Sequence, residues 1–390
     1  MESLIYLTPI DPEKIIGSQY EPNTLADSVK IYNGHEHSIQ DISKGDIVIL
    51  GVEEDRLSWN KGSEEAPDRV RSYLYKLHKR DDFPSIFDLG NIASGDEVKD
   101  TYFALSSVLT ELLRNGNIPV VIGGTHDLTY PMYTAYEKLE TMLNLVIADA
   151  EFDLGNAEEE INANGYLNKI ILHDPNFLFN FSNIGYQTYF IDKEINDLME
   201  RLYFDIYRLG ELRENMKRTE PVIRDADLFS FDISCIRASD ALGNKKASPN
   251  GFFGDEACQM ARYAGMSDKL SSFGIFETNP LVDHQGVTQH LVAQIIWHFI
   301  EGIKNRKNDL PIGEKNEFTK YIVDIDESKF QLIFYKSKKT DRWWIDVPYP
   351  PNKKTRYERH HIIPCSYEDY LIATDEEIPD KWWKTYQKLS

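Results

Sequence analysis

Ile118-Pro119-Val120-Val121-Ile122 runs straight into Gly123-Gly124-Thr125-His126-Asp127, an apolar β-branched stretch followed at once by a polar cluster. The arrangement recurs twice. Leu143-Asn144-Leu145-Val146-Ile147-Ala148 precedes Asp149-Ala150-Glu151-Phe152-Asp153, and Ser271-Ser272-Phe273-Gly274-Ile275-Phe276 precedes Glu277-Thr278-Asn279-Pro280. A fourth segment, Ser230-Phe231-Asp232-Ile233-Ser234, closes the apolar run that starts at Asp227. Short apolar runs of this kind read as strands buried on both faces. In an open α/β sheet, ligands gather at the carboxyl ends of the parallel strands. Four polar clusters at four strand ends are therefore expected to converge on one site. Its donors are carboxylates with one imidazole, a set that suits Mn²⁺ or Mg²⁺ better than a tetrahedral zinc.

Around these segments, strands and helices alternate. Residues 46–52 read as another strand, and 185–187 as a short one. Helices are expected over 101–115, closed by Gly116, and over 131–143, 193–208 and 254–264, the last closed by Gly265. Val287, Leu291, Ile295, Phe299 and Ile303 recur every four residues, which predicts a helix with one apolar face. His290 and His298 on that helix read as flanking residues, not ligands. Beyond Lys304 the composition shifts to a polar connector. Short strands are expected at 321–325, 330–335 and 343–347, the last two as a hairpin, with a terminal helix over 380–389. The expected architecture is an α/β three-layer fold with a mainly parallel sheet and helices on both faces, plus a C-terminal β-rich extension. Its expected divisions are an N-terminal extension, 1–45, the α/β domain, 46–304, and a hairpin-and-helix extension packed on the core, 305–390.

A chain of 390 residues, 41% apolar and 12% aromatic, is long enough for one large core and an appendage. Its formal net charge of −21 argues against nucleic acid and anionic membranes as partners. No apolar run approaches a membrane span, and the amino terminus lacks the basic start and apolar core of a signal peptide. Cys235, Cys258 and Cys365 are odd in number and widely spaced, which matches no disulfide or metal pattern and suits a reducing cytoplasm. Strand alternation would put Asp232 and Ser234 on one face and turn Cys235 away from them.

In order and spacing, the four segments resemble the ureohydrolases, the arginase/agmatinase/formimidoylglutamase superfamily. That family reads Gly-Gly-Asp-His, Asp-Ala-His-x-Asp, Ser-x-Asp-x-Asp and Glu-x-Asn-Pro, and it binds two manganese ions. Gly51-Val52-Glu53-Glu54-Asp55, Asn60-Lys61-Gly62, Ala66-Pro67-Asp68-Arg69-Val70-Arg71 and Phe87-Asp88-Leu89-Gly90-Asn91-Ile92 extend the likeness, which covers roughly 51–302. Asp149-Ala150-Glu151-Phe152-Asp153-Leu154 is nearest to the formimidoylglutamase branch. Gly155 stands where that branch has an arginine, and Asn164-Gly165 stands near its Ser-Gly.

The resemblance implies that His126, Asp149, Asp153 and Asp232 hold one metal, and all four are intact. The other metal of the family uses a histidine and an aspartate where this chain has Glu151 and Ser234. Thr125 replaces an aspartate beside the ligands. Glu151 is still an anionic oxygen donor with reach to a metal, whereas Ser234 is a poor neutral one. The implied chemistry is hydrolysis of a linear amidine or guanidine C–N bond. Asp153 would orient or deprotonate the water, Glu277 would pair with the substrate cation, and Asn164 would lie beside the substrate. The histidine shuttle of the arginase branch has no equivalent, and His173 is only close in sequence. The expected cofactor is Mn²⁺, one per subunit, with another divalent metal or none as alternatives. The expected setting is a cytoplasmic homo-oligomer acting on a small amidine or guanidine, with no nucleic-acid or membrane partner. Two other functions stay open: a catalytically impaired homologue acting as a scaffold or small-molecule binder, and a single-metal deacylase.

Overall fold

Alternation decides which way each strand residue faces, and here both directions end in a core. The computed structural model describes residues 2–390 apart from 18–19, 34–40, 157–159, 313–314, 326–329 and 351–356. Ten strands make one sheet: β1 (Leu7–Thr8), β2 (Lys30–Ile31), β3 (Ile47–Val52), β4 (Ile86–Ile92), β5 (Ile118–Ile122), β6 (Leu143–Ala148), β7 (Leu178–Tyr186), β8 (Asp205–Arg208), β9 (Leu228–Asp232) and β10 (Ser272–Phe276). Their order is β1-β4-β3-β5-β10-β9-β6-β7-β8, with β2 also on β4. β1 is antiparallel to β4, and the other pairs run parallel.

Every residue of β3, β4, β5, β6, β9 and β10 is buried. Ile47, Ile49, Val120, Ile122, Phe229, Phe231, Phe273 and Ile275 point into one cluster with the helices Ala66–Leu74, Gly254–Met266 and Val287–Lys304. Val48, Leu50, Val121, Leu145 and Ile147 point into the opposite one, with Val98–Arg114, Thr129–Glu137 and Tyr166–Ile171. These are the three layers of the expected α/β fold. Among the described residues, no helix is long and apolar enough to cross a membrane.

Three helix expectations need correction. The run expected as a helix over 193–208 stops at Arg201; Tyr203 turns the chain at φ +59° and Asp205–Arg208 becomes the edge strand β8 beside β7. The helix expected over 131–143 is Thr129–Glu137, because Leu143 already belongs to β6. Gly265 does not close its helix, which runs on to Met266. A Cβ there would lie 2.1 Å from the Phe299 carbonyl oxygen and 2.9 Å from the Gly302 Cα, so the glycine lets two helices touch backbone to backbone.

The C-terminal residues form a separate antiparallel sheet, β11 (Phe318–Ile325), β12 (Phe330–Ser337), β13 (Trp343–Asp346) and β14 (Ile362–Cys365), in that order. The strand β14 escaped the sequence reading because Pro364 interrupts it. An edge strand tolerates a proline, since its outer N–H positions need no partner. Helices Tyr367–Thr374 and Asp380–Leu389 pack on this sheet, and the Trp382 indole donates to the Asp346 carbonyl at 2.9 Å. Arg224 joins the two sheets, donating to the carbonyls of Trp343 at 3.2 Å and Cys365 at 3.3 Å.

Candidate metal centre

Register brings the motif residues together. β9 lies between β6 and β10, with Ala148 opposite Phe231 and Phe276 opposite Asp232. Asp149, Asp232 and Glu277 therefore leave three neighbouring strands at the same level. His126 enters on the far side of β10, at the start of the 3-10 turn His126–Leu128 after β5. Asp153 follows in the loop after β6.

His126 Nδ1 lies 3.0 Å from Asp153 Oδ2, 3.3 Å from Asp149 Oδ2 and 3.4 Å from Asp232 Oδ2. One ligand atom from each of the four residues falls within 4.8 Å of every other. Ligands about 2.1 Å from an octahedral ion sit about 3 Å apart along each edge, so this spacing fits a small hard divalent cation. The other ring nitrogen, Nε2, is 3.0 Å from Ser230 Oγ, which is 2.6 Å from Thr129 Oγ1. A bond of this kind on the second nitrogen fixes ring orientation and leaves Nδ1 for a metal. Tyr166 packs against the same imidazole, ring centroids 4.9 Å apart.

Electrostatics agree with geometry. Burial alone would lower the His126 pKa, but hydrogen bonds to Asp149, Asp153 and Asp232 carry it well above the ordinary histidine range. Burial, then repulsion from Asp153 and Asp232, holds the Asp149 carboxyl well above its usual value. Asp153 is raised by burial against the pull of His126. Among the described residues, no lysine or arginine forms an ion pair with any of these three aspartates. Such a cluster would favour a bound divalent cation.

Glu277 lies beneath the cluster, 1% exposed. It accepts from the His126 backbone N–H at 2.9 Å and from Asn60 Nδ2 at 2.9 Å. Burial first, and Asp232 next, push its pKa up to about 8. Asp153 and Glu277 both sit on left-handed backbone, at φ +48° and +66°. Non-glycine residues seldom adopt that region, and where they do the site is often a functional one.

The altered positions lie beside this set. Glu151 reaches into the same cleft, with Oε1 3.5 Å from Lys246 Nζ. Ser234 lines the cleft and donates its backbone N–H to Asp232 Oδ1 at 2.6 Å. The strand ends at Asp232 and Ile233–Cys235 winds into a 3-10 turn, so strand alternation fails to orient Ser234 and Cys235. Thr125 is buried and donates to Asp127 Oδ1 at 2.6 Å; Asp127 also accepts from Tyr102. Asn164 stands in the cleft wall. His173 is elsewhere, 2.9 Å from Glu137, and His290 stacks on Tyr73. A larger cleft lined by Tyr186, Tyr189, Arg208 and Phe253 holds none of the cluster.

Sequence reasoning missed three residues here. Ser230 carried a usable sign, since it shares a strand face with Asp232 two residues on. Tyr166 and Lys246 carried none: Tyr166 sits at the start of a short helix and Lys246 in a loop, both far in sequence from the motifs they meet. Gly155 gains a reason: at φ +56°, a Cβ would lie 2.6 Å from the Gly165 Cα. An arginine does not fit that backbone.

A model of the arginase family matches residues 45–301. The formimidoylglutamase of Staphylococcus carnosus (strain TM300) is 25% identical over 252 residues, covering 61% of this chain and 79% of that one. The Staphylococcus aureus (strain Newman) formimidoylglutamase is 25% identical over 267 residues, covering 65% and 85%. Among solved structures, formimidoylglutamase from Bacillus subtilis subsp. subtilis str. 168 superposes with a TM-score of 0.65 at 18% identity, over 74% of this chain and 96% of that one. Trypanosoma cruzi formiminoglutamase with Mn²⁺ superposes at 0.63 and 20% identity, over 67% and 95%.

Proposed function

The chain belongs to the arginase family, and from that premise we propose a hydrolase of linear amidine or guanidine C–N bonds, formimidoylglutamase-like, working with one Mn²⁺ per subunit. The observation that carries this reading is the largely buried set of His126, Asp149, Asp153 and Asp232, at metal-ligand spacing. A divalent ion there supplies, when bound, a water acidic enough to act as a nucleophile near neutral pH. Asp153, which lines the cleft from left-handed backbone, would hold the ion and take up a proton at its carboxylate. Ser230 and Tyr166 hold the His126 ring in place. Glu277 offers the substrate amidinium a buried carboxylate, and a cation bound there returns it to its charged form. Asn164 and Trp59 form the cleft wall against which the rest of the substrate lies.

The fragments divide accordingly: residues 46–304 carry the chemistry, 1–45 add to the edge of the sheet, and 305–390 brace its far end. A cytoplasmic homo-oligomer remains the setting we assign. Because Gly155 cannot be the arginine of the formimidoylglutamase branch, the substrate carboxylate has a different anchor or is absent.

The test is direct. Metal-free protein reconstituted with Mn²⁺ should release amine from some member of a panel of linear amidines and guanidines, and Glu277→Gln should abolish that release with Mn²⁺ still bound. A second reading, a binder without turnover, is favoured by the neutral Ser234. Saturable binding of the same panel with no amine released would select it.

A further inference from the structure

The cleft holds one fixed cation, and it belongs to the chain. Lys246 Nζ lies 3.5 Å from Glu151 Oε1 and 4.7 Å over the Trp59 ring, and it lines the same cleft as Asp149, Asp153, Asp232 and Ser234. Its loop is built onto the site. The Lys246 backbone N–H donates to Asn244 Oδ1 at 2.7 Å, and Asn244 Nδ2 donates to the Glu277 carbonyl at 3.0 Å. The Lys245 N–H reaches Asn60 Oδ1 at 3.3 Å, and the same Asn60 holds the Glu277 carboxylate. A lysine on a loop anchored twice to the site floor is placed there, not scattered on the surface.

Resting on the metal reading above, we propose that the Lys246 ammonium takes the charge-balancing place of a second metal ion, so that the site is built for one divalent cation and one organic cation. Five carboxylates border the cleft: Asp149, Glu151, Asp153, Asp232 and Glu277. One divalent ion and one ammonium offset most of that charge, and Glu277 is left for the substrate cation. A further divalent ion beside Lys246 would meet a like charge. An ammonium has three donors and no acceptor, so it cannot share in ligation. Ser234 and Lys246 then act together: a neutral side chain where the family pattern has an aspartate, and a chain cation in the same cleft. Glu151 becomes the partner of that lysine instead of a metal ligand.

The experiment counts Mn²⁺ per subunit after equilibration and gel filtration, with the electron paramagnetic resonance spectrum recorded on the same samples. Wild type should hold one ion with an isolated-ion spectrum. Lys246→Gln should move towards two, with the coupled spectrum of a pair, while Lys246→Arg, which keeps the charge, should stay at one. Both variants should keep the metal-free melting temperature, since the side chain is more than a third exposed. If the Gln variant is unstable, Glu151→Gln serves instead and should leave the count at one. Lys246→Gln staying at one, Lys246→Arg gaining a second ion, the Glu151 variant falling to none, or wild type already holding two would overturn the inference. Wild type holding none would overturn the metal reading itself and this inference with it.

Discussion

The two ends of the parallel sheet both bury aspartates, and they neutralise them differently. At the amino end, Asp225 and Asp227 stand just before β9. Lys269 Nζ lies 2.8 Å from Asp225 and 3.8 Å from Asp227, Arg359 lies 2.8 Å from Asp227, and the Asn144 N–H adds a bond at 2.9 Å. Burial raises the Asp227 pKa while Lys269 and Arg359 draw it back. At the carboxyl end, Asp149, Asp153 and Asp232 meet one imidazole. Burying an ion costs several kcal/mol unless a partner offsets it. One end meets that demand from its own chain and is a brace. The other end meets it with one imidazole alone, and there we place the proposed metal site.

The largest effects should come from exchanging one aspartate at each end. Asp227→Ala leaves the buried Asn144 N–H without its acceptor and Lys269 with Asp225 alone, and should destabilise the fold by about 1–3 kcal/mol, measured by denaturant unfolding, with the Mn²⁺ count unchanged. Asp232→Ala should do the opposite: no bound Mn²⁺ and a metal-free melting temperature equal to or above wild type, because a like charge has gone. Metal loss in the Asp227 variant would break the comparison.

Acidity separates the ends next. His126, Asp149, Asp153 and Glu277 all have raised folded-state pKa values. Stability from a raised group is fully present below its unfolded pKa and is lost as pH climbs through its folded one, at about 1.4 kcal/mol per pH unit per group. The metal-free protein should therefore lose stability from about pH 5 to 8. Mn²⁺ needs the deprotonated ligands, so its stabilising effect should be larger at pH 8 than at pH 6. Thermal melts with and without Mn²⁺ at the two values check this, and a metal effect independent of pH would count against the cluster.

Ser230→Ala should weaken Mn²⁺ binding about 10- to 100-fold by freeing the His126 ring, with little change in fold. The pair Ser234→Asp and Glu151→His restores two anionic and imidazole donors and should raise the Mn²⁺ count above one, the second ion staying the weaker while Lys246 is present. Equilibrium dialysis reads both. Arg359→Ala should cost no more than about 1 kcal/mol, because that side chain is 47% exposed and exposed ion pairs contribute little.

Much of the carboxyl end was legible in the chain because each motif abuts a β-branched run, and parallel strands leave no choice about which end the motif occupies. His126, Asp149, Asp153 and Asp232 do meet in the structure. What supports them was not legible. Ser230 finds His126 across 104 positions and Tyr166 finds it across 40, contacts that no local period encodes. The 3-10 turn after Asp232 also defeated an argument from strand alternation, since Asp232 accepts the Ser234 N–H and bends the chain. At the amino end the aspartates read as ordinary strand starts. Their partners come from a lysine 42 residues beyond Asp227 and from an arginine in the C-terminal extension.

Calorimetric titration of metal-free wild-type protein with Mn²⁺ near pH 7.5 tests the central claim most directly. The account predicts a single binding event with one ion per subunit and release of protons from the cluster. No heat at millimolar Mn²⁺, or two ions per subunit, would contradict it.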